Sequence, residues 1–286
     1  MKLAQYDITH PQTARVVQTF RITPESSPVE VRHITLQVPD GSLSYVEGQS
    51  IGVLIRGKHE FGNPYHLRLY SIASAREGEN GVGSDISICV RRCSYIDEVN
   101  GEEYPGVASN YLCDRKVGDE ITLTGPYGSH FTMPPMRETN LLMVGVGTGI
   151  APFRAFAKRI FHEKGYWKGK VLLFYGANHG LELLYMNDMV NDFQLYYDEE
   201  TFQAFEAISP RPHLDAPVTW EAHMNDHGED VWDLVQEPNT YVYVAGLESA
   251  LESFNKTMIR VADSEAAWND VQETLKQNGR WAELIY

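Results

Sequence analysis

Cysteine is scarce in this chain. There are three, Cys89, Cys93 and Cys113, and no two stand in CxxC spacing. That is too few for a four-thiolate iron–sulfur cluster or a disulfide framework. No metal centre is therefore expected, and the thiols are expected to pack as strand residues. Long apolar runs are missing as well. No stretch approaches the roughly 18–20 apolar residues of a membrane span. The opening Met1-Lys2-Leu3-Ala4-Gln5-Tyr6-Asp7 has neither a signal-peptide core nor the Arg/Ser-rich character of a transit peptide. A cytoplasmic location without a membrane span is expected. Positive charge is also short: 24 Lys and Arg stand against 39 Asp and Glu, for a net charge of −15. That balance argues against nucleic acid as the main partner. Residues 1–140 hold 13 Lys and Arg against 17 Asp and Glu and the remainder 11 against 22, so the first half is the less acidic.

What is present describes a soluble globular chain, with 43% hydrophobic and 22% charged residues over a length of 286 that accommodates two domains. The first half alternates polar and apolar residues, as in Val16–Ile22, Val31–Val38 and Ile86–Arg91, which is the period of half-buried strands. Gly62-Asn63-Pro64, Gly78–Gly81 and Gly125-Pro126 read as turns between them. The expectation is an N-terminal antiparallel β-barrel over residues 1–135. The second half changes rhythm. Leu141–Val144, Val171–Tyr175 and Tyr241–Ala245 are short apolar runs, each followed by Gly and a helical pattern, and residues 202–208 are a weaker strand candidate. Strands alternating with helices predict a C-terminal α/β domain with a parallel sheet over residues 136–286. Met133-Pro134-Pro135-Met136-Arg137 reads as the connector.

Two segments carry most of the chemistry. Arg68-Leu69-Tyr70-Ser71 ends an extended stretch; in a strand Arg68 and Tyr70 share one face and Ser71 takes the other. A cation, a ring and a hydroxyl in that order suit a phosphate and a flat ring system. Gly145-Val146-Gly147-Thr148-Gly149-Ile150-Ala151-Pro152 follows an apolar strand, and such a turn into a helix offers backbone N–H groups to phosphate. Two weaker signals stand beside these. Ser109, within Gly106-Val107-Ala108-Ser109, reads as the cap of a helix, either an ordinary one or one that faces a pyrophosphate. Cys89-Val90-Arg91-Arg92-Cys93-Ser94-Tyr95 offers Arg91 to a phosphate and Tyr95 to a base, or is simply a charged strand end.

Taken together, RLYSIAS (68–74), CVRRCSY (89–95), ASNYLCD (108–114) with TGPYG (124–128) read as a turn, GVGTGIAPFRAF (145–156) and YVYVAGLESAL (241–251) resemble the plant-type ferredoxin–NADP reductase family from about residue 30 to Tyr286. The resemblance implies FAD on the barrel and NADP on the α/β domain, the two meeting at a seam, with NAD as the alternative nucleotide. It assigns FAD to Arg68, Leu69, Tyr70, Ser71, Cys89, Val90, Arg91, Tyr95 and the helix start Gly106, Val107, Ala108 and Ser109. It assigns the dinucleotide to Gly147, Thr148, Gly149, Gly246 and Leu247, with Ser209 and Arg211 for the 2′-phosphate. Ser71 and Tyr286 become catalytic, Tyr286 as a gate that the nicotinamide displaces.

The sequence departs from the family pattern at three places. Ala245 stands where the family has a reactive-site Cys. The family's C-terminal acid position holds Leu284, so Glu283, one place early, is the candidate substitute. The adenine-side element reads Thr219-Trp220-Glu221, and a Glu221 facing the site would oppose a 2′-phosphate. His213, His223 and His227 read as a polar insertion rather than a zinc site. The implied activity is hydride transfer between NADP(H) and flavin with single electrons to or from a ferredoxin or flavodoxin, an oxygenase being one consumer downstream. The competing readings are a flavin or quinone reductase of diaphorase type without a dedicated carrier, and a flavin-binding regulatory subunit.

Overall fold

The computed structural model describes residues 6–39, 43–57, 64–81, 83–97, 99–162, 167–177, 182–187, 190–195, 202–206 and 220–286. The chain divides into two compact units, Met1–Thr132 with Arg154–Phe156, and Met133–Phe153 with Ala157–Tyr286.

The first unit holds β1 (Gln12–Arg21), β2 (Val31–Gln37), β3 (Ser50–Arg56), β4 (Tyr65–Ser71), β5 (Asp85–Arg91), the hairpin β6 (Ser94–Ile96) and β7 (Glu103–Pro105), α1 (Val107–Cys113) and β8 (Glu120–Tyr127). Six strands form one sheet in the order β4-β3-β8-β1-β2-β5, every pair antiparallel. The two edges meet. Ile72, just past β4, bridges Ile88 on β5, and the Ala73 N–H donates to the Ser87 carbonyl at 2.7 Å. This closes the sheet into the expected barrel and removes its exposed edges. Inward residues of several strands, among them Val16, Ile34, Leu36, Ile51, Val53, Ile86, Ile88 and Leu123, form one apolar core. Gly125-Pro126 is not a turn. β8 runs through it to Tyr127, and the register against β3 slips between Ser50 and Gly52. Proline is tolerated there because a bulge leaves its position out of the ladder.

The stretch after β4 is pinned by buried polar groups. The Tyr45 hydroxyl bonds to the Ala75 carbonyl at 2.6 Å. The fully buried Glu47 accepts from the backbone N–H of Arg76 at 2.8 Å and from its guanidinium at 2.5 Å. Burial pushes the Glu47 carboxyl up, but the hydrogen bonds from Arg76 outweigh it, and the group settles below the usual carboxylate range. A carboxyl lowered in the folded state stabilises the protein above its unfolded pKa, and the contribution is lost as pH falls through the folded value. Glu47→Gln is therefore expected to lower stability at neutral pH by about 1–3 kcal/mol, with the gap to wild type narrowing as the solution is acidified below the ordinary carboxylate range. Urea midpoints across that pH range check this; a gap that stays constant with pH would contradict it.

The second unit holds β9 (Asn140–Val146), α2 (Ile150–His162), β10 (Val171–Gly176), α3 (Asp192–Leu195), β11 (Phe202–Glu206), α4 (Glu221–Asp226), α5 (Gly228–Gln236), β12 (Thr240–Gly246), α6 (Glu248–Val261), α7 (Glu265–Gln277) and β13 (Trp281–Ile285). Its five strands are all parallel, in the order β11-β10-β9-β12-β13. Leu141–Val144 and Val171–Phe174 are buried throughout, as expected of a sheet covered on both faces. That is why these strands appear in the sequence as unbroken apolar runs. Phe254 of α6, Trp268 of α7 and Trp281 of β13 pack ring against ring with centroids 5.7–5.9 Å apart, which fixes the C-terminal strand on the sheet. No helix among the described residues is long and apolar enough to cross a membrane.

Candidate functional site

In the barrel unit the first segment forms the end of β4. Arg68 is exposed, while Tyr70 is half-buried and packs against the barrel core. Burial raises the Tyr70 phenol well above its ordinary pKa, so it stays neutral. Ser71 is the last residue of β4, immediately before the bridge that closes the barrel. Its backbone is therefore held from both sides.

At the end of β5 the two arginines differ. Arg92 is engaged by Glu30 at 2.7 Å, by Asp114 at 2.9 Å and by the Asn110 side-chain oxygen at 2.9 Å. Arg68 and Arg91 make no ion pair among the described residues, so two cations remain available to an anionic ligand. Cys89 and Val90 are buried in the barrel, 6% and 0% exposed; their side chains do not present themselves to a ligand, and only their backbone could. Tyr95 is half exposed and stacks on Tyr104 across the β6–β7 hairpin at 5.9 Å.

Ser109 is not the cap of α1. The helix begins earlier, with Gly106 as N-cap and no side-chain cap hydrogen bond. The Ser109 hydroxyl instead accepts from the Cys93 N–H at 3.1 Å and lies 3.4 Å from the Gly106 carbonyl, tying strand to helix. The uncapped first turn at Val107 and Ala108 leaves N–H groups that helix geometry does not satisfy. With Arg68 and Arg91 this is a donor set that fits the pyrophosphate of a dinucleotide cofactor such as FAD.

In the second unit the strand order has β9 central, with successive strands going to one side and then to the other. The direction of winding reverses between β9 and β12, and ligands of such sheets bind beyond the carboxyl ends of the strands at that point. Val146 and Gly246 are those ends. The segment Gly147–Gly149 makes a single 3-10 turn there before α2. Gly147 has φ +57°, and a Cβ on it would meet nothing within 4 Å, so the space over the turn is open. Gly149 needs to be glycine for the opposite reason: a Cβ would lie 2.2 Å from the Ala245 carbonyl oxygen. Pro152 sits in the first turn of α2, where its missing N–H costs nothing. Gly246, with φ +147°, and the half-exposed Leu247 flank the same end. The arrangement fits a dinucleotide phosphate.

The C-terminal residue arrives beside this turn. The Tyr286 N–H donates to the Gly246 carbonyl at 3.2 Å, and its hydroxyl lies 2.9 Å from the Thr148 hydroxyl. Ala245 and Leu284 are direct partners across β12 and β13, so the two positions that depart from the family pattern are neighbours. Glu283 does not take the place of the missing acid. Strand alternation puts it on the face of Trp281, opposite Leu284 and Tyr286, and its carboxylate accepts from the Trp281 ring N–H at 2.5 Å. The carboxylate of Glu221 accepts from the Ser253 hydroxyl at 2.8 Å. Ser209, Arg211 and His213 lie outside the described residues, and His223 does so with its side chain; His227 sits 4.0 Å from Asp230.

Two residues carry weight that the sequence did not announce. Tyr175, near the end of β10, sends its hydroxyl under the turn to the Gly147 carbonyl at 2.8 Å; a tyrosine closing an aliphatic strand is the only local sign of it. Arg154 of α2 is bound to Glu79 at 2.7 and 2.9 Å and to the Ala73 carbonyl at 2.8 Å, across a separation that leaves no trace in the sequence.

A closed antiparallel barrel with an uncapped helix and two arginines outside the ion pairs, together with a parallel sheet bearing a glycine turn at its switch point, defines a dinucleotide-dependent oxidoreductase of two units. The comparisons narrow it. Residues 143–256 match the model of the oxidoreductase NAD-binding domain. The chain is 33% identical to the ferredoxin–NADP reductase of a Picosynechococcus species over 96% of this chain and 70% of that protein. It is 33% identical to the Spirulina one over 96% and 95%, and 34% identical to leaf isozyme 2 of Oryza sativa subsp. indica over 99% and 78%. The chain belongs to the ferredoxin–NADP reductase family. The solved ferredoxin–NADP+ reductase of Plasmodium falciparum has the same fold, with a TM-score of 0.71 at 21% identity over 99% of this chain and 98% of that one.

Proposed function

We propose that this protein is an FAD-dependent reductase that passes a hydride between NADP(H) and flavin and exchanges single electrons with a ferredoxin or flavodoxin carrier. The observation that supports it best is the open glycine turn at the β9–β12 switch point in a chain that shares a third of its residues with ferredoxin–NADP reductases along nearly its whole length. When bound, the flavin supplies the two-electron to one-electron conversion. The chain's own residues bind and orient. Arg68, Arg91 and the first turn of α1 hold the flavin nucleotide's pyrophosphate, and Tyr70 and Tyr95 present ring faces to its aromatic parts. Ser71 offers a hydroxyl at the reacting nitrogen, able to donate or accept as protonation changes there. Gly147, Thr148 and Gly149 receive the phosphates of the nicotinamide dinucleotide, beside Gly246 and Leu247, and Tyr286 yields its place to the nicotinamide. Ser209 and Arg211 take the 2′-phosphate. A cytoplasmic setting belongs to the same proposal, supported by three cysteines that form no disulfide, one of them exposed.

Anaerobic mixing of the FAD-loaded protein with NADPH and with NADH tests it. Flavin absorbance is expected to bleach, faster with NADPH. Cytochrome c reduction is then expected to accelerate on adding ferredoxin, and to lose that acceleration as salt rises. A flavin that bleaches with neither nucleotide would leave the regulatory-subunit reading. Bleaching without ferredoxin acceleration at any ionic strength would leave a flavin or quinone reductase.

A further inference from the structure

The sequence holds three Asn-Gly pairs, Asn80-Gly81, Asn100-Gly101 and Asn278-Gly279. In such a pair the glycine nitrogen is the nucleophile and the asparagine side-chain carbon its target, and a glycine without a Cβ leaves the approach uncrowded. Backbone conformation does not separate the three, since the glycines have φ of +74°, +72° and +65°. Hydrogen bonding does. The Gly101 N–H donates to the Asp97 carbonyl at 2.8 Å; the Asn100 side chain accepts from the Glu102 N–H at 2.8 Å and donates to the Tyr104 hydroxyl at 3.0 Å. The Gly279 N–H donates to the Lys276 carbonyl at 3.1 Å, and the Asn278 amide to the Thr274 carbonyl at 2.8 Å. Asn80 is exposed, and neither its side chain nor the Gly81 N–H makes a hydrogen bond among the described residues.

We infer that Asn80 is a site of spontaneous deamidation, placed in the turn that aims Glu79 at Arg154. The Gly81 nitrogen gives up its proton and bonds to the Asn80 side-chain carbon, and the amide nitrogen leaves as ammonia. Water then opens the cyclic imide at either carbonyl, leaving aspartate or isoaspartate. One carboxamide and one water become one carboxylate and one ammonia, and nothing is oxidised or reduced. At the other two pairs the reacting groups must first break bonds they already make. Each neutral hydrogen bond is worth about 5-fold, so two or more hold those sites about 10-fold or more behind. The position gives the change a consequence. The Glu79 N–H donates to the Asp85 carbonyl at 2.6 Å and closes a loop that contains Asn80 and Gly81. The Glu79 carboxylate, 9% exposed, accepts from Arg154 at 2.7 Å and from the Ser87 hydroxyl at 2.7 Å. Isoaspartate routes the main chain through the former side chain and adds one backbone atom inside that closed loop. The loop must distort, and the carboxylate at its root loses its aim. Aspartate adds only an exposed charge, which salt screens.

The full-length protein, held folded in mildly alkaline buffer and sampled over days, tests this. Trypsin places each pair on its own peptide: Asn80 on 77–91, Asn100 on 93–115 and Asn278 on 277–280. Mass spectrometry reads the gain that comes with replacing NH2 by OH, and urea unfolding of the same samples reads the consequence. Peptide 77–91 is expected to convert about 10-fold or more faster than the other two, and the urea midpoint to fall as isoaspartate accumulates. Asn80→Gln, whose longer side chain closes a larger and slower ring, is expected to keep both its mass and its midpoint. Fresh Asn80→Asp, which has the charge without the extra backbone atom, is expected to unfold where fresh wild type does. Conversion of 93–115 or 277–280 as fast as 77–91 overturns the assignment of the site. A fully converted sample with the midpoint of fresh protein overturns the link to Glu79, as does fresh Asn80→Asp with a midpoint as low as the aged sample's.

Discussion

Arg154→Ala is expected to destabilise the protein by about 3–5 kcal/mol, the usual result of removing one partner from a buried ion pair. The Arg154 and Glu79 side chains are only 4% and 9% exposed, and the guanidinium grips the carboxylate through two nitrogens, at 2.7 and 2.9 Å. Truncation strands the carboxylate of Glu79, to which the Ser87 hydroxyl also donates at 2.7 Å and near which His33 lies at 3.8 Å. The Ala73 carbonyl loses its guanidinium donor as well. Ala73 is two residues past Ser71, and its N–H makes one of the bonds that close the barrel, so the damage reaches the end of β4. Lysine cannot reproduce the fork, and Arg154→Lys is expected to recover less than half of the loss. Urea unfolding followed by tryptophan fluorescence measures it. A loss below about 1 kcal/mol, the scale of an exposed pair, would show that the pair contributes no more than a surface salt bridge.

How far the sequence exposed this protein depends on how local each feature is. β2 and β5 are legible because polar residues such as Arg32 and Ser87 alternate with Val31, Ile86, Ile88 and Val90 in a period of two, although they are not half-buried: β5 is buried as far as Val90, its polar Ser87 included. The parallel strands are legible for the opposite reason, being buried on both faces and apolar throughout. The glycine turn is legible because backbone geometry at Gly147 and close approach at Gly149 restrict the residue type. Where the sequence misled, one residue fitted two local structures. Ser109 suits an N-cap, yet the helix starts at Gly106 and turns that hydroxyl back to β5's end. Gly125-Pro126 suits a turn, yet the barrel uses it as a bulge within β8. Glu283 looked one residue from the missing acid, but in a strand one residue is the other face. The pairs Arg154 with Glu79 and Tyr286 with Thr148 span 75 and 138 residues, and no pattern along the chain encodes contacts of that kind.

Ser71→Ala is expected to slow flavin bleaching by NADPH about 100-fold or more, the lower end of what a positioned proton-handling group contributes. The reason lies in two positions at which the sequence departs from the family pattern. The family resemblance puts a thiol and a carboxylate where this chain has Ala245 and Leu284, and these two are direct partners on adjacent strands, so the polar pair is replaced as a pair by an apolar one. Glu283 faces away and is bound to Trp281. Of the groups that the resemblance assigns to the reacting nitrogen, the Ser71 hydroxyl is the one retained that can both donate and accept a hydrogen bond there. Its backbone is fixed by β4 on one side and the Ile72 bridge on the other, which is the pre-organisation that makes a single hydroxyl count. Ser71→Thr keeps the hydroxyl and is expected to retain most of the rate. Leu284→Glu in the Ser71→Ala background returns an ionisable group and is expected to restore part of the rate, with a dependence on pH that follows the new carboxyl. Single-turnover bleaching isolates this step from carrier reduction. A Ser71→Ala rate within about 3-fold of wild type would mean that the hydroxyl makes no interaction specific to the transition state.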